Sequence, residues 1–558
     1  MATMATKSSM VSMASTGQQP QAQSQTPLLA VSLTLLLTLL LVKFLATHLL
    51  RHLDPLHPIP GPKWAKFSNL WYLHQIRNGN FHRENMALHE RYGPIVRYGP
   101  SRVSIADLES VRMVYILSGN NSKNGGENSG GSLNKSTWYQ GWNKPGIRSI
   151  FTERDHRTHA QMRRKFASVY SMTSMTSYEG FVDECITLLR LRFDEMTTPP
   201  TPTHPTKQTL DFAWWMECFA ADTVSMVTYS KRMGFLDAGE DIEALMSFLH
   251  GNLRRSAQLG VFAWMTPLAV QVLGVWSALK GERNPMAFVR DFAVRAIRER
   301  REMRALKRVD GRNKHGEDEC DTPRDFLDKF LDFHERDPEK FDQMDITIGL
   351  SANLVAGADT TAASLAAIFY HLHRNPNTLT TLRAEIEASF PNTDTHITFK
   401  EAQGLPYLQA VIREALRMHP ATGLCLERDV PKSGLELNGH FLPAGTIFGA
   451  NSWVLHYSKA IFGEDADVFK PERWLETDVE RLKEMNRAWM PFGLGSRTCI
   501  GQHVSMLEMT KMVPEVIRRF EFELVDGVEK EWEVANYWFV IPKALPMKIS
   551  KRKVEGLT

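Results

Sequence analysis

Cysteine is scarce in this chain. Five are spread over 558 residues, Cys185, Cys218, Cys320, Cys425 and Cys499, and no two form a close pair. That spacing excludes a disulfide framework and a zinc-type cluster. Net charge is small as well. The 66 Lys and Arg against 63 Asp and Glu leave +3, so nothing in bulk calls for a nucleic acid or an acidic partner. No internal repeat is evident, which excludes a solenoid. Stretches with strand-like alternation are few and short, which excludes a doubly wound sheet. After residue 50 every apolar run is broken by charge, so no second membrane span is expected.

What is present is an ordinary globular composition, 43% hydrophobic and 23% charged, with mostly helical patterning. Residues 1–27 are rich in Ser, Thr, Gln and Met and carry one charge, Lys7; they read as a disordered tail. Residues 28–50 are nearly continuously apolar, long enough for one N-terminal transmembrane helix. A cleaved signal peptide has a shorter apolar core and a small-residue cleavage site. Arg51, His52, Lys63 and Lys66 follow the run, which puts the remainder in the cytoplasm and keeps the sequons at Asn120 and Asn134 unglycosylated. Pro55, Pro58, Pro60 and Pro62 mark residues 51–62 as a stiff hinge. Residues 63–558 then form the large domain. Within it we expect a hairpin across Ile95 to Ile105 and another turning at Asn438-Gly439. Gly119 to Ser136 reads as a mobile loop, Arg290 to Arg308 as a solvated basic face, and Lys307 to Thr322 as a linker. A long helix is expected from Gln343 to Arg374, ending before Asn375-Pro376.

Cys499 stands apart from the other four. It lies in Pro491-Phe492-Gly493-Leu494-Gly495-Ser496-Arg497-Thr498-Cys499-Ile500-Gly501. Glycines let the backbone turn tightly and approach a flat partner. Amides beside Cys499 can donate to its sulfur, Phe492 can shield it, and Arg497 can neutralise a carboxylate on a bound group. These are the needs of a thiolate that ligates heme iron. The competing reading is a Gly-rich turn around a structural cysteine. In the long helix, Ala356-Gly357-Ala358-Asp359-Thr360-Thr361 combines a helix-weakening glycine with an acid and hydroxyls. A helix opened there can receive dioxygen, with Thr360 hydrogen-bonding it and Asp359 relaying protons. His159 and Arg163 share one face of a basic helix. Glu414 and Arg417 sit three apart beside an apolar stripe.

The cysteine loop resembles the heme-binding loop of the cytochrome P450 superfamily at Phe492, Gly493, Gly495, Arg497, Cys499 and Gly501. The other motifs fall in family order, with Pro471-Glu472-Arg473 between Glu414-x-x-Arg417 and the cysteine. The resemblance implies a mainly α cytochrome P450 fold, with a large helical domain and a small β-rich subdomain. It implies heme b with Cys499 as the axial thiolate. His159, Arg163 and Arg428 are implied as propionate partners, alongside Phe492, Gly493, Arg497 and Gly501 around the cofactor. Asp359 and Thr360 are implied as the catalytic pair, and Glu414, Arg417 and Arg473 as a buried scaffold behind the heme. Phe235 to Trp276 resembles the two helices that roof the site and touch the membrane. The implied enzyme is a membrane-anchored monooxygenase of the endoplasmic reticulum, fed from NADPH by cytochrome P450 reductase, with cytochrome b5 as a further donor. Trp138-Tyr139, Tyr170-Ser171-Met172 and Asp222 to Gly234 resemble fungal members of secondary metabolism. The mostly apolar stretches around Trp138, Phe262, Asn353 to Ala356, Ala421 to Leu426 and Tyr537 to Val540 imply a hydrophobic substrate. The rivals are a reductase-independent heme-thiolate isomerase or dehydratase, which often lacks the acid-threonine pair, and a non-catalytic heme sensor.

Overall fold

The long helix forms where its caps dictate. In the computed structural model it runs Gln343–Arg374. Asp342 accepts the Asp345 amide at 2.8 Å, and the Asp345 carboxylate accepts the Asp342 amide at 3.1 Å, a reciprocal cap. Pro376 opens the next helix and holds Asn375 out of helical geometry. The structure describes residues 26–49, 54–117, 133–142, 148–197, 209–280, 286–309, 324–392 and 395–552. Most of the tail (1–25), the last anchor residue (50), part of the hinge (51–53), and most of the expected loop and linker at 118–132 and 310–323 lie outside these residues.

The chain divides into two units, Met1–His57 and Pro58–Thr558. The first contains the helix Thr26–Leu49, with Val31, Leu35, Leu39, Leu41 and Phe44 exposed. The second begins in the proline-rich segment, where Ile59 is buried and the Arg97 amide donates to the Pro60 carbonyl at 2.7 Å.

The second unit is mainly helical with small sheets at its margins. Ile95–Gly99 and Arg102–Ile105 form the expected hairpin, and Ile447–Ala450 adds in parallel to its second strand. Asn438 and Gly439, both with positive φ, turn the second hairpin. At the centre Gln343–Arg374 packs on Phe212–Tyr229, of which nearly every residue is buried. Gln343–Arg374 is long and apolar enough to cross a membrane, but 67% of that stretch is buried, so it is the core of the domain.

Two sequence expectations change here. The long helix is not opened at Gly357; it is continuous. A methyl group at Gly357 would stand 2.7 Å from Val224 Cγ2, so the glycine serves helix-helix approach, and packing overrides its low propensity. The basic run, now helix Met286–Val309, is more than a solvated face. Arg300 reaches Asp325 at 2.7 Å, and Arg304 reaches Asp328 and Asp332 at 2.9 Å, fastening it to helix Phe326–Arg336.

Leu245–Val261 and Thr266–Lys280 are the two helices of the stretch expected to form the roof. Trp264, Leu268 and Val272 at and beyond the bend between them are exposed. Gly260 meets the turn Thr137–Trp142: a methyl group there would lie 2.6 Å from the Trp138 carbonyl, and one at Gly141 would lie 2.5 Å from the Gly260 nitrogen.

Candidate active site

Three backbone bonds shape the cysteine loop. Gly493 N–H donates to Met490 C=O at 3.0 Å, Thr498 to Gly495 at 3.1 Å, and Cys499 to Phe492 at 2.8 Å. Gly495 has φ 66°, and a methyl group on it would stand 1.8 Å from the Tyr115 carbonyl oxygen, so no side chain fits. Gly501 caps the helix Gln502–Ile517. Burial raises the Cys499 thiol pKa, while the amides of Gly501 and Gln502 and the charge of Arg163 favour the thiolate. Cys499 is nonetheless solvent-accessible. On the long helix Ala352 and Ala356 are exposed and Thr360 half-buried, one face at four-residue spacing beside a buried run. Thr361 meets Ser505 at 2.9 Å, so that helix adjoins the helix leaving the cysteine loop.

Basic groups gather beside the loop. Arg163 donates to the Thr498 carbonyl at 2.6 Å. Arg497 is held by the Glu153 and Arg154 carbonyls at 2.6 and 2.7 Å, while its Nε has no partner. Burial, then Arg428, pulls Arg497 down to about 10. His159 is buried with Nδ1 unpartnered, and burial, Arg497, Lys135 and Arg163 hold its pKa down at about 2. Arg428 lies over the Tyr115 ring at 4.9 Å. Lys135, absent from the sequence reading, joins them, its pKa far below the usual range through burial and the charges of Arg497, Arg428 and Arg163. Among the described residues none of these five pairs with a carboxylate. Crowded, partly desolvated basic groups with free donors call for a bound anion.

Behind the loop, Glu414 is fully buried and saturated. Arg417 reaches it at 2.8 and 2.9 Å, Arg473 at 2.9 Å, Trp474 Nε1 at 2.9 Å and the Lys470 amide at 3.0 Å. His456 ties this cluster to the loop. Its Nδ1–H donates to the Arg417 carbonyl at 3.0 Å, and its Nε2 accepts the Met490 amide at 2.8 Å. Those partners fix a neutral tautomer, and burial, then Arg417, holds its pKa down at about 3.

Asp359 and Thr360 diverge. Thr360 Oγ1 donates to the Ala356 carbonyl at 2.9 Å. Asp359 is buried and lies near His250 of the roof, with Oδ1 3.5 Å from His250 Nε2.

The residues fit heme b. Among the described residues no three His, Cys, Asp or Glu side chains are grouped to hold a metal ion, so a metal at Cys499 must bring its own remaining ligands, as heme iron does. The unpaired cations match its two propionates. Lys135, His456, Trp474 and His250 escaped the sequence reading. Each is a single residue whose partners lie far away in the chain, so no local spacing marks it.

The sequence matches the Cytochrome P450 family over residues 59–547. It is 34% identical to a pisatin demethylase of Fusarium vanettenii over 492 residues, 88% of this chain and 87% of that protein. It is 35% identical to a cytochrome P450 monooxygenase of Aspergillus terreus over 485 residues, 85% and 92% of the two chains. Cytochrome P450 monooxygenase cicH of Emericella nidulans is 32% identical over 507 residues, covering 89% and 94%.

Proposed function

This chain belongs to the cytochrome P450 family, and from that premise we propose a membrane-anchored monooxygenase that oxidises a hydrophobic small molecule of fungal secondary metabolism by hydroxylation or epoxidation. The bound heme supplies dioxygen activation, with its iron ligated by a thiolate. Cys499 is that thiolate, stabilised by the Gly501 and Gln502 amides. Lys135, His159, Arg163, Arg428 and Arg497 hold the propionates. Thr360 positions a water through its Oγ1, and Asp359 supplies that water with protons. Trp138, Tyr139, Phe151 and Trp538, with ring centroids 4.9–5.7 Å apart, form a packed aromatic cluster beside Ala257 and Val261.

The single observation that carries the reading is the accessible Cys499 in its amide-lined loop beside cations that lack a counter-ion. The apolar helix Thr26–Leu49 serves as the anchor to the endoplasmic reticulum, and the exposed Trp264, Leu268 and Val272 give the roof a second lipid contact. Electrons come from NADPH through cytochrome P450 reductase, with cytochrome b5 as an auxiliary donor. Two of the relatives are pisatin demethylases, and removing a methyl group by oxidising its C–H bond lies within this chemistry.

The test is NADPH-driven dioxygen uptake by the heme-loaded chain with purified reductase. Uptake that depends on both proteins supports the proposal. A heme-loaded chain that consumes no dioxygen, yet rearranges a hydroperoxide, points to the reductase-independent isomerase instead.

A further inference from the structure

Asp359 is buried within the core, and a buried acid that delivers protons has to be recharged. Its carboxylate has one neighbour suited to the task. His250 Nε2 lies 3.5 Å from Asp359 Oδ1 and 3.4 Å from Glu217 Oε1. The three side chains come from three elements: Asp359 from the long helix, His250 from the roof helix Leu245–Val261, and Glu217 from Phe212–Tyr229. Asp359 Oδ1 and His250 Nε2 are buried atoms without another hydrogen-bond partner. The Asp359 side chain is 2% exposed, Glu217 10% and His250 34%. Glu217 and His250 thus have contact with solvent that Asp359 lacks. Among the described residues His250 is the one basic side chain in ion-pair range of either carboxylate.

We infer that Glu217 and His250 form a proton relay that recharges Asp359 from the solvent side. The inference rests on the reading of Asp359 as the proton donor above. The imidazolium of His250 passes its Nε2 proton to Asp359 Oδ1, which makes the acid neutral and the ring neutral. The lone pair left on Nε2 then takes the proton of protonated Glu217 from Oε1. The imidazolium is restored, and the Glu217 carboxylate recovers a proton from water. One proton moves inward per cycle, with no electron transferred. Both carboxylates flank the same nitrogen, so the ring need not turn over.

The charges around the site support this loading. Burial pulls the His250 pKa down, but Asp359 and Glu217, and more distantly Asp241, push it up to about 9. Burial raises Glu217 to about 8 against the pull of His250, with Asp359, Asp211 and Asp241 acting in the same direction as burial. Asp241 and Asp211 are committed elsewhere, as acceptors for the Met246 and Ser247 amides and for the Ala213 and Leu545 amides. These shifts favour a proton on the ring and one on Glu217 near neutral pH.

His250→Lys separates transfer from charge. Lysine keeps a cation beside both carboxylates, but with an ordinary pKa near 10.4 against about 6.5 for imidazole it is the poorer proton donor in the same surroundings. With reductase, NADPH and dioxygen as the probe, His250→Lys and Glu217→Gln are expected to slow turnover about 10²-fold and to enlarge the solvent deuterium isotope effect. Both should keep the full reduced carbon-monoxide spectrum. A His250→Lys enzyme with wild-type rate, isotope effect and pH profile overturns the relay, because charge alone then suffices. A second measurement is independent of turnover. NMR titration of labelled histidine in the heme-loaded chain should place His250 well above the ordinary imidazole range, and Asp359→Asn or Glu217→Gln should lower it. Titration near 6.5, unmoved by either variant, overturns the inference as well. If the wild type takes up no dioxygen while His250 titrates as expected, the monooxygenase reading fails and the coupled trio stands.

Discussion

At the scale of single residues the chemistry depends on what each polar atom faces. Cys499→Ser is expected to lose the strongly red-shifted Soret band of the reduced carbon-monoxide complex, or the heme itself. A normal band in that variant would assign the ligand elsewhere, although Cys185, Cys218 and Cys425 are buried. Thr360→Ala should still bind heme and carbon monoxide and still consume NADPH. It should release more hydrogen peroxide and less product, by a factor on the order of 10²; unchanged coupling would remove Thr360 from oxygen handling. Both residues were legible in the sequence because their motifs are local. Lys135 was not. It sits in a Gly/Asn/Ser-rich stretch, and its neighbours Arg163, Arg428 and Arg497 come from three distant segments. The five basic groups become a site only once the chain has folded.

At the scale of elements, charge holds segments together. Glu414→Ala leaves Arg417 and Arg473 buried without their carboxylate, and removing one partner from such a cluster costs about 3–5 kcal/mol. The expected product is apoprotein or aggregate, read from heme content per polypeptide; wild-type heme loading would reduce the cluster to an ornament of the fold. His456→Ala should cost less, about 1–3 kcal/mol for each stranded backbone group, and should show as a lowered urea midpoint of the heme-loaded chain. The boundaries of the long helix were readable because Asp342 and Pro376 mark both ends. Gly357 was misread for the opposite reason. Its propensity is a local property, whereas its purpose is contact with Val224 on another helix. The same blindness made the basic run around Arg300 look like mere solvent-facing charge, since its acidic partners follow only after a long gap in the chain.

For the molecule as a whole, removing residues 1–50 should release much of the protein from membranes while leaving a heme-binding domain. Fractionation checks this, with some retention expected from Trp264 and Leu268; full integral-membrane behaviour would mean that the anchor lies elsewhere. Stability should also fall in mild acid. His82, His89, His373, His419 and His456 are buried, and burial holds their pKa values near 3 or 4. Each stays neutral in the fold and takes up a proton on unfolding below its ordinary pKa, about 6.5. Their contribution is therefore complete above that pH and is lost as pH falls from 6.5 toward 4, each by up to about 1.4 kcal/mol per pH unit. Urea midpoints at pH 7 and pH 5 that coincide would contradict this. The class of fold was readable from helical patterning and motif order, while the closure of the roof was not, because it depends on two glycines meeting. Gly141 and Gly260 touch with no room for even one added carbon. That seam has no slack: the turn Thr137–Trp142 and the helix Leu245–Val261 meet backbone to backbone. Anyone reshaping this catalyst for bulkier molecules should leave both glycines alone, because alanine at either one forces the turn and the helix apart.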